Sequence, residues 1–347
     1  MLTTTIGSYP KPPYLDVPDW FKVGTAEGVM PPGYAEAVAR LGERREELFR
    51  LAAGDAVRDQ VKSGIDIPTD GEVRRENYMH YHCRHLVGID FAKLRPKSQR
   101  AGAFVAKVPT VTGPIGPREH FLPRDYEVAR SFTDKPVKIT IPGPSTLADT
   151  LNDDHYGDLK ALTFALADAI NWEIMALADA GCRHIQLDEP VFSRMIAGVM
   201  EYGFEALERA FHGCPAPVTR IVHICCSYPD TLDHPSPPKA PKESYFKLAE
   251  PIDRSSIDAV SIEDAHRHND LALLEKFSST GVILGAVDIG KSRVEPVDEI
   301  RARLGAALAH IDRDRLVAAP DCGLGLLGRE LAIKKMRNLA AAARMLS

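Results

Sequence analysis

No apolar run in this 347-residue chain approaches the roughly 18 residues that would suggest a membrane span. There is no basic excess either: 43 Lys and Arg face 48 Asp and Glu, a net charge of −5, which argues against a nucleic-acid binder. Cysteine is too sparse for a disulfide framework, with only Cys83, Cys182, Cys214, Cys225, Cys226 and Cys322, so these are expected as thiols in a reducing compartment. The first residues, MLTTTIGSYPKPP, have neither a basic n-region nor an apolar h-region. Nothing there suggests export, and a cytoplasmic protein is expected. No G-x-G-x-x-G follows the first apolar run and no Walker A motif occurs, which leaves the common nucleotide-binding folds without their phosphate loops.

What is present is a regular alternation of short β-rich runs with longer helical stretches. Strand candidates are Thr3–Ser8, Ile65–Asp70, Val137–Ile141, His184–Asp188, Thr219–Ile224, Asp258–Ile262, Val282–Val287 and Leu316–Ala319. Helical patterns lie at Ala35–Ser63, Leu159–Ala180, Phe204–Phe211, Tyr245–Leu248, Asp270–Phe277, Val297–Ile311 and Leu331–Leu346. Alternation of this kind implies parallel strands joined by crossover helices. Eight strands make a single α/β domain, a (β/α)8 TIM barrel over residues 1–347, the economical expectation; an open doubly wound sheet is the competing one. The surplus length is assigned to loop insertions near Asp16–Pro32 and Phe91–Lys135.

Reactive residues gather where several of these strands end. The first runs into Ile6-Gly7-Ser8, the second into Asp70-Gly71-Glu72, and the fourth into Asp188-Glu189-Pro190. The fifth delivers His223-Ile224-Cys225-Cys226, the sixth Glu263-Asp264, and the eighth Asp321-Cys322-Gly323. Residues two apart on a strand share a face, so His223 and Cys225 can serve one ion together. With Glu263 and Cys322 they offer the N, S and O donors that zinc favours, whereas magnesium and calcium want oxygen. Buried core cysteines and a hydrogen-bonded core histidine are the plainer alternative.

These strings, taken in order with Asp70-Gly71-Glu72-Val73-Arg74-Arg75, His223-Ile224-Cys225-Cys226-Ser227 and Pro320-Asp321-Cys322-Gly323-Leu324, resemble the C-terminal catalytic barrel of cobalamin-independent methionine synthase. The likeness covers nearly the whole chain and is to the short form, without the additional N-terminal barrel of the long forms. It implies a catalytic zinc held by His223, Cys225, Glu263 and Cys322. It also implies a pocket for the amino acid part of homocysteine at Ser8, Glu72 and Asp188, with Ile6 beside them. A free thiol with a pKa near 8.5 is mostly protonated at neutral pH, and a metal removes that proton. The resemblance therefore implies S-methyl transfer to homocysteine, with Glu263 the ligand expected to loosen.

The donor side departs from the family. Gly290 stands where the long forms carry a histidine that protonates the departing folate nitrogen; Thr150 stands near the pterin-stacking aromatic, and Arg194 near the folate-binding carboxylate. Asp288 and His266, with His268, are the candidate replacement acids. A folate, a methylated corrinoid or another small methyl compound is then open as donor, with a corrinoid or donor-delivering protein as a possible partner. Just past Glu72 the run Asn77-Tyr78-Met79-His80-Tyr81-His82-Cys83-Arg84-His85 reads as pocket lining, as a second metal site or as a solvated loop. Two other functions compete: alkyl transfer to another small thiol, as in epoxyalkane:coenzyme M transferase, and a non-catalytic zinc-binding barrel.

Overall fold

Strands that are buried on both faces need apolar residues at consecutive positions, and the central runs of this chain supply them. In the computed structural model, which describes residues 1–23, 33–99, 104–235 and 239–346, they form a parallel six-stranded sheet. Its strands, numbered within the whole chain, are β3 (Lys138–Pro142), β5 (His184–Asp188), β6 (Thr219–Ile224), β7 (Ala259–Ile262), β8 (Gly281–Gly285) and β9 (Leu316–Ala319), hydrogen-bonded in that order. A separate sheet holds an antiparallel hairpin, β1 (Leu86–Gln99) and β2 (Phe104–Pro117), with the two-residue strand β4 (Asn152–Asp153) beside β2.

The first two strand candidates do not become regular strands. Thr3–Ser8 and Ile65–Asp70 contribute single parallel bridges: Thr3 to Ala318 of β9, Thr4 to Ile67, and Thr69 to Lys138 of β3. Side-chain bonds compete with the ladder here. Thr3 Oγ1 donates to Asp66 at 2.9 Å, and Thr4 Oγ1 donates to the Ile67 carbonyl at 2.7 Å. Polar threonines and Gln60, which receives the Thr69 N–H at 2.9 Å, take bonds that strand neighbours would otherwise make.

Period-two alternation sorts the sheet into two faces. Val222, Val260, Val282 and Ala318 join the large core packed under the helices. Ile221, Ile283 and Ala319, one position removed, form a small second cluster with Ile6. Gln186, Asp188, His223 and Ser261 share the parity of that second face, and register sets Asp188 beside His223 and His223 beside Ser261. The same pleat that buries the isoleucines thus stacks the polar residues above them.

The helical patterns hold with adjusted ends. The stretch expected as one helix at 35–63 is two, Tyr34–Arg40 and Arg45–Lys62, separated by a 3-10 turn at Gly42, whose φ of 58° suits glycine. The pattern at 270–277 is a 3-10 helix, Leu271–Lys276. The hairpin begins before the expected insertion, and helix Leu122–Arg130 follows it. The other expected insertion, near Asp16–Pro32, lies partly outside the described residues; its visible part includes helix Trp20–Val23. Among the described residues one helix, Leu159–Asp179, is long and apolar enough to cross a membrane by length and composition. The sequence reading passed over it, because its apolar residues are interrupted by Lys160, Asp168, Asn171 and Glu173. More than half of that apolar window is buried inside the protein, with Leu162, Leu166, Ile170 and Ile174 in the core.

Candidate active site

The C-terminal ends of the parallel strands converge on one cavity of about 100 Å³. Its lining includes Ile6, Ser8, Glu72, Asp188, His223, Cys225 and Cys322, seven of the residues singled out from sequence. Trp20, Phe21, Tyr78 and Tyr228 form an aromatic wall, with the Trp20 ring 5.9 Å from Tyr78 and 5.8 Å from Tyr228. Thr150, Asp149 and Arg194 line it as well.

Three donor atoms meet at the floor. Cys322 Sγ lies 3.5 Å from His223 Nε2 and 3.8 Å from Cys225 Sγ, and all three lie within 4.8 Å of one another. His223 shows why Nε2 points there: its Nδ1 is 2.9 Å from Ser261 Oγ, the residue that register places beside it. A partner on one imidazole nitrogen fixes the ring so that the other can serve as a ligand. The bond from the Cys322 thiol holds Cys225 well below the ordinary thiol range, with His223 and Lys239 adding to it.

Glu263 touches this group at one point and belongs to a second one. Cys225 donates to its Oε1 at 3.1 Å, while its Oε2 accepts from the Cys226 N–H and from Lys239 Nζ, each at 3.2 Å. Its carboxylate also groups with Cys226 and His266 within 4.8 Å. Burial pushes its carboxyl well above the ordinary range, and Cys225 pushes the same way. Lys239 stays charged despite burial because Glu263 and Cys225 outweigh it.

Beside His223, the Asp188 carboxylate has one hydrogen-bond partner among the described residues: Gln186 Nε2 donates to it at 2.7 Å, held in turn by Lys138 Nζ on Gln186 Oε1 at 2.5 Å. Burial, reinforced by the neighbouring Glu72 and only partly offset by His223, Gln186 and Arg75, lifts Asp188 to about 7. Glu72, in the left-handed region at φ 55°, accepts from Thr140 Oγ1 at 2.6 Å and pairs with Arg75 at 3.2 Å. The adjacent Arg74 turns away instead, to Glu46 and Asp125. Ser8 is set by an unusually close approach: a Cβ on Gly323 would lie 2.2 Å from Ser8 Oγ, so only glycine lets the two loops meet.

Asp288 and His266, the candidate acids, are not in this cavity. Both line a neighbouring one of about 520 Å³ together with Lys239, Arg267 and Gly290. Asp321 explains the placement of His266. It takes the His266 ring at 3.0 Å and three successive backbone N–H groups, from Asp264, Ala265 and His266, each at 2.8 Å. The histidine-rich run is not solvated. His80 and His82 lie buried in helix Tyr78–Cys83, capped by Asn77, and burial holds both well toward the neutral form. Neither joins a metal-ligand cluster among the described residues. His85 stacks on Phe121 and faces Glu119 at 3.0 Å.

Sequence reasoning gave no separate role to Ser261, Gln186 or Asp321, and it missed Lys239 and the aromatic wall. Strand parity carried a signal for two of these, since Gln186 lies two before Asp188 and Ser261 two before Glu263. Lys239 lies in a proline-rich loop with no period, and nothing local marked it.

Comparison with known proteins places these residues in a family. Residues 1–345 match the family described as cobalamin-independent synthase, catalytic domain. The methionine synthase of Saccharolobus solfataricus is 31% identical, over 97% of this chain and 92% of its own length. That of Pyrococcus furiosus is 30% identical over 99% and 91%. A B12-independent methionine synthase from Shewanella sp. W3-18-1, solved with selenomethionine, superposes with a TM-score of 0.87 at 31% identity, covering 99% of this chain and 97% of that one. Nothing in these relationships supports the methylated corrinoid or the corrinoid partner that the sequence left open. The chain belongs to the cobalamin-independent methionine synthase catalytic-domain family.

Proposed function

We propose that this protein is a zinc-dependent methyltransferase that methylates homocysteine on sulfur to give methionine. The observation that carries this reading is that His223, Cys225 and Cys322 converge in the same cavity as Ser8, Glu72 and Asp188. Tetrahedral zinc, with bonds of about 2.3 Å to sulfur and about 2.0 Å to nitrogen, requires edges of about 3.8 Å between sulfurs and about 3.5 Å between sulfur and nitrogen. The sulfurs here are 3.8 Å apart and the sulfur–nitrogen separation is 3.5 Å. Those donors fit zinc, and Glu263, 3.1 Å from Cys225, is the fourth ligand in reach. Zinc bound there would keep a substrate sulfur deprotonated at neutral pH.

The chain's own residues do the rest. Asp188 has a spare carboxylate oxygen facing the cavity, and with Glu72 it suits an ammonium group; Ser8 Oγ suits the carboxylate. A thiol carrying a sulfonate would want cations here, yet Glu72, Asp188 and Asp149 face one Arg194. That favours homocysteine over coenzyme M. An accessible cavity above the sulfurs favours a catalytic site over a closed structural one. In the transfer, the sulfur lone pair takes the methyl carbon while the donor bond breaks and leaves its electron pair on the departing atom. A departing folate nitrogen would need a proton, and Asp288 and His266 face the other cavity.

We infer the rest of the architecture on the same basis. The bridges at Thr3, Thr4 and Thr69 join the two ends of the six-stranded sheet through two short further staves, which supports a closed (β/α)8 barrel with the hairpin as an insertion. A cytoplasmic location is consistent with thiol ligands that must stay reduced.

Elemental analysis of protein purified without added metal tests the site: about one zinc per chain is expected, and Cys225→Ser with Cys322→Ser should abolish it. Full zinc retention by the double variant would end the assignment. Incubating zinc-loaded protein and homocysteine with methyl-folate or S-methylmethionine, and assaying methionine, tests the reaction. Slow turnover with methyl-folate is expected, since general acid catalysis is worth about 10²–10⁴-fold.

A further inference from the structure

We propose that Lys239 is a positioning residue for thiol binding: it receives the Glu263 carboxylate when a thiolate substrate takes its place beside His223, Cys225 and Cys322. The inference rests on the site reading above and extends it to a residue outside the ligand set and outside the substrate cavity.

The carboxylate of Glu263 has two sides. Oε1 faces the sulfurs, 3.1 Å from Cys225 Sγ, and Oε2 faces away, toward the Cys226 N–H and Lys239 Nζ at 3.2 Å and His266 Nδ1 at 3.4 Å. No part of this arrangement is surface chemistry, since the Glu263 side chain is fully buried and that of Lys239 is 12% exposed. Lys239 is itself held in place, donating to the Ser227 carbonyl at 2.6 Å. His266 is already engaged by Asp321 at 3.0 Å, so Lys239 is the nearest cation not committed to another carboxylate.

Charge counting gives the lysine its role. Two cysteinates, one carboxylate and a divalent cation sum to −1, which Lys239 cancels. A substrate thiolate adds another negative charge and leaves Glu263 without a cation on its sulfur side. An interaction shifts binding only by as much as it differs between the two states. While Glu263 serves as a ligand, much of its charge is neutralised there; once displaced, it depends on Lys239. A buried carboxylate left without a partner is costly. The Lys239 pair is therefore stronger with the thiol bound, and its removal penalises the thiol alone.

Methionine provides the control, because it carries the same ammonium and carboxylate but no thiol to displace Glu263. The test uses the full chain loaded with zinc for calorimetry and with cobalt(II) for its thiolate absorption band. Lys239→Met should keep one metal per chain and bind methionine as the parent does. Its homocysteine affinity should fall by about tenfold or more, less than the full cost of an unpaired buried carboxylate because the Cys226 N–H and His266 remain. Lys239→Arg should recover most of the loss. Equal losses for homocysteine and methionine, or none for either, would overturn the role. Metal loss in Lys239→Met and in Lys239→Gln would overturn it too, showing that the lysine holds Glu263 in its ligand position. If homocysteine leaves the cobalt band of the parent protein unchanged, the site reading itself fails and the lysine role goes with it.

Discussion

In the proposed reaction, Asp188 is the residue on which substrate selection turns. Its single side-chain hydrogen bond among the described residues, from Gln186, leaves a buried carboxylate with capacity to spare, and burial lifts it to about 7 in the metal-free protein. An ammonium group needs the ionised form. Above about pH 7 the carboxylate is ready; below it a proton must first be removed. Methionine affinity of the metal-free protein should therefore fall as pH drops through about 7, and Asp188→Asn should flatten that profile in a calorimetric titration. The same variant should weaken homocysteine binding by an amount on the order of 3–5 kcal/mol while zinc stays in place. Gly323 offers a purely steric counterpart. Gly323→Ala would press a methyl to 2.2 Å of Ser8 Oγ, so the two loops must part. We expect weaker methionine binding with zinc content retained, measured on one preparation. That Ser8, Glu72 and Asp188 lie near strand ends was legible in the sequence, and the resemblance grouped them as a pocket; they line one cavity. The reason Gly323 must be glycine was not legible, since it lies in a contact between residues more than 300 positions apart.

Strands of four to six residues deliver these groups, and the loops just beyond them decide how they point. Asp321 shows this for the loop after β7. One carboxylate accepts the N–H groups of Asp264, Ala265 and His266, and a Cβ on Gly285 would strike its Oδ1 at 2.3 Å. Asp321 precedes Cys322 and sits against the segment that begins with Glu263, so it ties together two loops that carry proposed ligands. Asp321→Ala removes those bonds and leaves the buried Asp264 N–H unsatisfied, at a cost of roughly 1–3 kcal/mol, with less for the part-buried donors of Ala265 and His266. Lower zinc occupancy and a lower melting temperature are expected, read by metal analysis and thermal melts. Asp321→Asn, which keeps an acceptor oxygen, should fall between. Strand existence and strand ends were largely visible in the alternation of apolar residues, and β5, β6 and β9 match their expected limits. The segments 3–8 and 65–70 were visible as strand-like runs but not as isolated bridges, because the side-chain bonding of Thr3, Thr4 and Gln60 has no period to read. Asp288 and His266 were plausible acids by position alone, and a strand end does not say which of two adjacent cavities its loop will face.

At the scale of the whole molecule the donor set is a clamp across distant parts of the chain. His223 and Cys225 come from β6 and the residues after it, Glu263 follows β7, and Cys322 follows β9. Between them lies β8, whose end carries the glycine that Asp321 needs. In the proposed closed barrel, Thr4 donates its N–H to the Ala318 carbonyl at 3.0 Å and Ala318 donates to Leu2 at 2.9 Å, so β9 is anchored by the start of the chain as well as by β8. An ion bound by residues about 100 positions apart stabilises the folded state only, because the unfolded chain does not hold those donors together. Ligand linkage then sets the size of the effect: free zinc at about 100 times its dissociation constant adds about 2.7 kcal/mol. Chelation should lower the melting temperature of the parent protein and do nothing to the Cys225→Ser, Cys322→Ser double variant. Adding homocysteine to zinc-loaded protein should raise the melting temperature further, since the thiol draws on that clamp and on Asp188 at once. Stabilisation by homocysteine that survives chelation unchanged would mean the thiol makes no use of the sulfur-lined floor, leaving Asp188 and Glu72 as a simple amino acid site.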